Sequence, residues 1–500
     1  MIENQTKSRT DSMADRKIAE FCFPWLGRRF VSLRVALALC LLLLSGCPGA
    51  APKSAKTVTK PFRNQEVELV MPASLQLPAL WEVALHEWMD ETGATIRWSE
   101  YQGSEAESLE TKLAAPLTPG GRVILFPLRK LCELDSKLAP IDAPNLDMKN
   151  LFKGLRDRIV SRNRVPIALP VSAPTFLCYY RADLLKAAGL KPPETWEEYQ
   201  SLLDSLDKWA PGLLAVEPLG PDHRTSLFFA RSLAYAKHPE NYSVWFDLNT
   251  GKPVIDSSGF LEAMELADRA WKKMPPTIAE MSPADCRSLV LEGKAALAIG
   301  IEPDAVNSSK SVRAPSIEIG VCRLPGSRRV YNPNSKRWDT PAQSGVHAPS
   351  LCAFDGMALG VSLPQESGGE SAAWHLMSTL AGEEFESNWA SLPKSPCRES
   401  QVGTAASWQD AGLTSEEASQ AVDAAAQMLR DNQLVADLPI PNSGEFRRVT
   451  QQVLGKVLKQ ELDPASAIRE LQTEFQRLAQ QAGFEKVRAD NRRGLGLATQ

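Results

Sequence analysis

Apolar and polar positions alternate over residues 67–71, and Trp81, Ala84, Leu85, Trp88 and Met89 then recur at helical spacing until Gly93. Side chains change face at every strand residue and return every 3.6 residues in a helix, so the pattern predicts a strand followed by a helix. Residues 94–98 alternate again. The unbroken run Val123-Ile124-Leu125-Phe126 reads as a strand covered on both faces. Residues 128–138 are helical in pattern, and Pro140 ends them. This β-α-β-α rhythm predicts a mostly parallel sheet flanked by helices.

Further strands are predicted over 167–170, 176–180, 212–216, 295–299, 317–322 and 357–361. Residues 182–188 form a helix stopped by Gly189. Thr195 with Glu198 three positions on is a capping box opening a helix over 196–209. Ser258 is placed to cap a helix carrying Phe260, Met264, Ala267 and Trp271 on one face. Helices follow over 372–380, from Thr414-x-x-Glu417 to about Leu429, over 446–459 and over 464–482. Residues 325–353 carry no regular pattern, and a loop of that length points to function or disorder. The tail from Arg488 is polar and reads as frayed.

The N-terminal region has a different character. Arg28, Arg29 and Arg34 precede an apolar run over 35–44, followed by Ser45-Gly46-Cys47. Basic flank, short apolar run and small residues are the parts of an export signal. The run is shorter than the ~20 residues a transmembrane helix needs. Leu44-Ser45-Gly46-Cys47 resembles the bacterial lipobox, which implies cleavage before Cys47, acylation of its sulfur and an extracytoplasmic, membrane-anchored protein. Two or more acyl chains exceed what stable anchoring requires. Residues 48–60 read as a flexible tether.

The 500-residue chain exceeds one ordinary core, so two lobes are expected. Its net charge is −4, and the first 46 residues hold seven basic and four acidic side chains, so a chain starting at Cys47 sits near −7. Nothing in that balance suits nucleic acid. Past Cys47 lie Cys132, Cys178, Cys286, Cys322, Cys352 and Cys397, irregularly spaced and without C-x-x-C. Disulfides or small buried thiols are both open to them, with no pairing indicated. There is no G-x-S-x-G elbow and no phosphate-binding loop, and His86-Glu87 lacks the second His of a zinc helix. Neither an enzyme nor a cofactor or metal site is expected.

Ala168-Leu169-Pro170, then Tyr179-Tyr180-Arg181-Ala182-Asp183-Leu184-Leu185-Lys186-Ala187-Ala188-Gly189-Leu190, then Pro192-Pro193-Glu194-Thr195-Trp196-Glu197-Glu198 form an ordered series. This series resembles the extracellular solute-binding protein family 1, the group that includes maltose-binding proteins. Arg181 replaces the family's usual Asn. Leu291-Glu292-Gly293-Lys294-Ala295-Ala296, residues 320–325 and Leu438-Pro439-Ile440-Pro441 resemble other family segments more weakly. The resemblance implies a two-lobed α/β periplasmic-binding-protein fold of type II, with discontinuous lobes joined by a hinge and a ligand between them.

On that reading the chain divides into a signal peptide with a long leader (1–46), a lipidated tether (47–64) and the first part of lobe 1 (65–170). The first part of lobe 2 follows (171–320), then a crossover, long loop and return to lobe 1 (321–390). Closing helices lie mainly on lobe 2 (391–485), and a flexible tail ends the chain (486–500). The function implied is capture of a small polar solute, carbohydrate first, for delivery to the permease subunits of an ABC importer. A ligand-sensing or scaffolding lipoprotein on the same fold is the second reading, and a secreted hydrolase the third.

Candidate ligand contacts are Phe126, Arg129, Tyr180, Asp222, His223, Glu302 and Asp355. Phe126 ends an apolar strand where maltose-binding proteins place a stacking aromatic, and it reads equally as core; Arg129 follows just beyond. Asp222 and His223 lie in the polar stretch between residues 213–216 and Leu227-Phe228-Phe229, as a contact loop or a solvated turn. Tyr179 and Tyr180 point to opposite faces of their strand, so one of them is free to reach a ligand. Ile301-Glu302 stands where the family offers a Trp, removing a stacking platform. Asp355-Gly356 occupies a turn at the expected cleft, where Asp355 can accept hydroxyls or cap the next element.

Overall fold

The computed structural model describes residues 60–497, except 76–78, 103–105, 142–145, 304–311, 342–344, 364–370, 383–384, 386–394 and 404–405. The chain divides into one unit of residues 1–58 and another of residues 59–500, and every described residue belongs to the second. The export signal and the lipid site at Cys47 lie outside the described residues.

The first strands are β1 (Glu66–Pro72), β2 (Thr95–Tyr101), β3 (Arg122–Pro127), β4 (Ser161–Arg162), β5 (Val165–Pro166) and β6 (Leu169–Ser172). Next come β7 (Leu177–Arg181), β8 (Leu214–Val216), β9 (Ala295–Gly300) and β10 (Ile319–Arg323). The last are β11 (Val330–Asn332), β12 (Arg337–Asp339), β13 (Leu351–Cys352), β14 (Met357–Val361) and β15 (Val435–Ala436). Two sheets dominate. One is ordered β2-β1-β3-β14-β6 and the other β10-β7-β9-β8.

Each sheet has its own buried core. One is built mainly from residues before 174 and from 352–385, the other from 176–324 and the closing helices. The closing helices Ser443–Leu458 and Pro464–Ala482 pack on the second lobe against the helices Arg224–Ala236 and Ser258–Trp271. The chain therefore leaves lobe 1 after β6, builds lobe 2 from β7 to β10, and re-enters lobe 1 at β14. Two α/β lobes, each discontinuous in sequence, are the result.

The sheets are mixed rather than mostly parallel. β14 runs antiparallel to both β3 and β6, and β7 runs antiparallel to both β9 and β10. β1 pairs parallel with β2 and β3, as β8 does with β9. The reversed strand in each sheet is the one by which the chain arrives from the other lobe. A helical crossover within one lobe returns a strand in the same direction, whereas arrival from outside carries no such constraint.

Three further differences from the sequence reading concern single elements. Ser257, not Ser258, precedes the helix Ser258–Trp271, and it makes no side-chain cap. Within 325–353 the strands β11 and β12 pair as a hairpin, with Trp338 packed edge-on to Tyr331. The tail after Arg488 belongs to a helix, Phe484–Gly494, with Val487, Asp490, Asn491 and Gly494 buried. A Cβ on Gly494 would lie 1.9 Å from the carbonyl of Pro439, so that helix docks too closely for any side chain there.

Candidate functional site

β3 ends at Pro127, and the chain turns through a short 3-10 helix, Leu128–Lys130. The Leu128 N–H donates to the carbonyl of Gly356 (2.9 Å), which ties this turn to the segment leading into β14. Arg129 and Lys130 are thereby brought beside Phe354 and Asp355. Gly356 has φ +91°, and a Cβ on it would meet the Ser172 carbonyl at 2.1 Å, so only glycine closes this turn without strain. Its N–H donates to Asp355 Oδ1 (2.8 Å). Phe354 stacks on Phe176 with ring centroids 4.6 Å apart and planes 8° from parallel. That stack joins the outgoing and returning crossings.

The facing wall comes from lobe 2. After β8 the chain makes a turn in which the His223 N–H donates to the Gly220 carbonyl (3.0 Å). His223 then occupies the N-cap position of the helix Arg224–Ala236. Beside it starts the helix Ser443–Leu458, entered through Asn442 in the left-handed region at φ +59°. Arg447 binds the two helix starts together, donating to Ser226 Oγ (2.8 Å) and pairing with the buried Asp437. Both N-termini carry partial positive charge and backbone N–H groups without helical partners.

Between the walls lies a cavity of about 500 Å³, lined from lobe 1 by Arg129 and Lys130 and from the return crossing by Phe354 and Asp355. Pro221, Asp222, His223, Thr225, Ser226, Ser443, Gly444, Arg447, Arg448 and Gln451 complete it. Its size lies within the ordinary range of small-molecule sites. Lys130 pairs with Glu133 (3.1 Å), and Arg448 with Glu445 (2.7 Å). Among the described residues Arg129 has no hydrogen-bond or ion-pair partner. Burial pushes the His223 pKa below its ordinary value, against the opposing pull of Asp355 and Asp222. A neutral imidazole offers one donor and one acceptor.

Four of the seven expected contacts, Arg129, Asp222, His223 and Asp355, thus meet on one cavity. The other three do not line it. Phe126 is fully buried in the lobe 1 core, one edge of its ring 3.3 Å from where a Cβ on Gly360 would sit. Tyr180 lies across β10, its ring covering Gly320 so closely that a Cβ there would be 2.0 Å away. Glu302 is fully buried and accepts from the Thr175 N–H (2.9 and 3.0 Å) and hydroxyl (2.8 Å). It fastens lobe 2 to the outgoing crossing instead of meeting solvent. Sequence reasoning missed Lys130, Ser443, Gly444, Arg447, Arg448 and Gln451. Asn442-Ser443-Gly444 before a helical pattern was the available signal, but nothing local ties it to a loop some 220 residues earlier.

The model of the family described as bacterial extracellular solute-binding protein matches residues 74–331. The chain belongs to that family. Among solved structures, this solute-binding protein is similar to the sugar-binding protein MalE of Xanthomonas citri at 19% identity and a TM-score of 0.60, over 83% of this chain and 98% of that one. Similar too is maltose-bound MalE3 of T. maritima, at 18% identity and TM-score 0.59, over 82% of this chain and all of that one. An ABC transporter solute-binding protein of Agrobacterium radiobacter K84, in complex with ribitol, matches at 17% identity and TM-score 0.57, over 84% and 100%. At such identities the likeness is one of fold. No curated protein sequence matches the chain.

Proposed function

We propose that this solute-binding protein captures a small polar solute, carbohydrate in the first place, in the cavity between its lobes and hands it to the permease of an ABC importer. We assign it to the periplasm or the cell surface, held by lipid on Cys47. The carrying observation is that Arg129 and Asp355 on one side and Asp222 and His223 on the other line a single cavity. A ligand bridging such groups binds the closed arrangement better than the open one, and that difference in affinity shifts the population toward closure. Maltose and ribitol in the similar structures support a polyhydroxylated ligand. Carboxylates and an imidazole suit hydroxyl groups as acceptors and donors.

A second reading has its own observation. Among the described residues Arg129 makes no hydrogen bond or ion pair, and two helix N-termini face the same cavity, which favours a solute bearing a carboxylate or phosphate. Among the described lining residues Phe354 is the one Phe, Tyr or Trp, so stacking contributes less than in an aromatic-rich sugar site. A thermal-shift screen over neutral sugars, polyols, sugar acids and sugar phosphates separates the readings. A ligand at 100 times its Kd adds about 2.7 kcal/mol of stability. Stabilisation confined to the neutral compounds supports the first reading, and confined to the anions the second. No shift with any of them contradicts both.

A further inference from the structure

β7 and β10 are the strands by which the chain enters lobe 2 and leaves it, and they pair antiparallel with Tyr180 opposite Gly320 and Cys178 opposite Cys322. Positions two apart on a strand share a face, so Cys178 lies on the face of Tyr180 and Cys322 on that of Gly320. The Tyr180 ring covers Gly320, which places all four residues on one side of the sheet. The two sulfurs therefore face each other from directly opposed positions. Opposed residues of antiparallel strands have Cα atoms about 4.5–5.5 Å apart, inside the 4.4–6.8 Å range that a disulfide spans. Both are thiols in this structure. Cys178 is fully buried and Cys322 half-buried. The other cysteines are placed differently: Cys132 accepts from Arg162 (3.2 Å) and Cys352 stands opposite Ala436.

We infer that Cys178 and Cys322 form a disulfide in the exported protein, stapling the entry strand of lobe 2 to its exit strand. The inference rests on the extracytoplasmic side of the functional reading and is independent of the ligand. The oxidant is a disulfide of that compartment, of protein or small-molecule kind. Cys322, the less buried residue of the two, loses its proton and attacks one sulfur of the oxidant, expelling the other as thiolate. Cys178 then gives up its proton and displaces the remaining oxidant thiol. One S–S bond forms and one breaks, the oxidant gains two electrons, and two protons leave the protein. The neighbouring Cys322 thiol, and then burial, hold the Cys178 thiol well above the ordinary thiol range. Cys178 is accordingly the second sulfur to react, after the mixed disulfide has brought an electrophile against it. With the staple closed, the strands attached to the two crossings move as one body, and bending is confined to the segments between them and lobe 1.

The test maps thiols in the full chain. The folded protein is equilibrated in oxidising glutathione buffer, alkylated and digested without reductant, and the same mapping is made on protein recovered after export. The expected result in both is a linked pair of peptides containing Cys178 and Cys322, lighter than the separate peptides by two hydrogen atoms. Alkylated Cys178 and Cys322 in the glutathione sample overturn the proposal whatever the compartment. Alkylated thiols in the exported sample alone overturn it for the protein in its own setting, and linkage of either residue to another cysteine overturns the pairing. As a second readout, reduction lowers the Tm of the oxidised parent and leaves that of Cys322→Ala unchanged. An equal shift in both is the contrary result.

Discussion

Phe126 and Arg129 stand three positions apart, and one is core while the other is cavity wall. A continuous apolar run is covered on both faces, so its periodicity could not say which way its last ring points. Phe126 is fully buried, and its truncation should therefore cost stability, not binding. Phe126→Ala is expected to lose about 3–5 kcal/mol in urea unfolding, with ligand affinity in the folded protein unchanged. Loss of affinity at unchanged stability would return Phe126 to the site. Glu302 was a candidate because it stands where the family offers a Trp. Burial instead raises its pKa to about 7, with hydrogen bonds from its own backbone and Thr175, and the nearby Arg287, opposing. The folded protein holds this proton more tightly than the unfolded chain, where 4.5 applies. The stabilisation is thus fully present below about pH 4.5 and lost as pH rises through about 7, an effect of about 3 kcal/mol at most. Urea stability measured across that window should fall more steeply for the parent than for Glu302→Gln. Equal slopes would remove Glu302 as the cause.

At the scale of elements, end signals were the most legible part of the sequence. Thr195 with Glu198 and Thr414 with Glu417 both form the expected capping boxes, because both partners lie within four residues of each other. Elements defined by distant contacts were not legible. The helix Phe484–Gly494 is polar in sequence and owes its place to docking against Pro439. The hairpin β11–β12 carries Trp338 beside Tyr331 and under Arg329, contacts that no periodicity announces. The β7–β10 pair offers a test of packing at this scale. Gly320→Ala places a methyl within the Tyr180 ring, and overpacking of this kind costs about 1–3 kcal/mol. Adding Tyr180→Ala should restore part of that loss, which a double-mutant cycle measures as coupling. Additive losses would mean that the ring does not lie over Gly320.

At the scale of the molecule, the length of the chain and its resemblance to solute-binding proteins were enough to indicate two lobes. The direction of β7 and β14 was not, since strand direction depends on which lobe the chain comes from. The cavity was half legible for the same reason. Arg129, Asp222, His223 and Asp355 each lie close beyond a strand or just before one, as a cleft at strand ends requires. Ser443, Arg447 and Gln451 reach the cavity from a helix that only the folded chain brings there. The central claim is that one solute is held by both walls at once. Calorimetric titration of the solute chosen by thermal-shift screening, into the parent, Arg129→Ala and Asp222→Ala, tests this most directly. Each substitution should weaken binding about tenfold or more, which is about 1.4 kcal/mol, because each removes a contact from a different wall. Parent-like affinity in both variants would contradict the assignment of this cavity as the binding site.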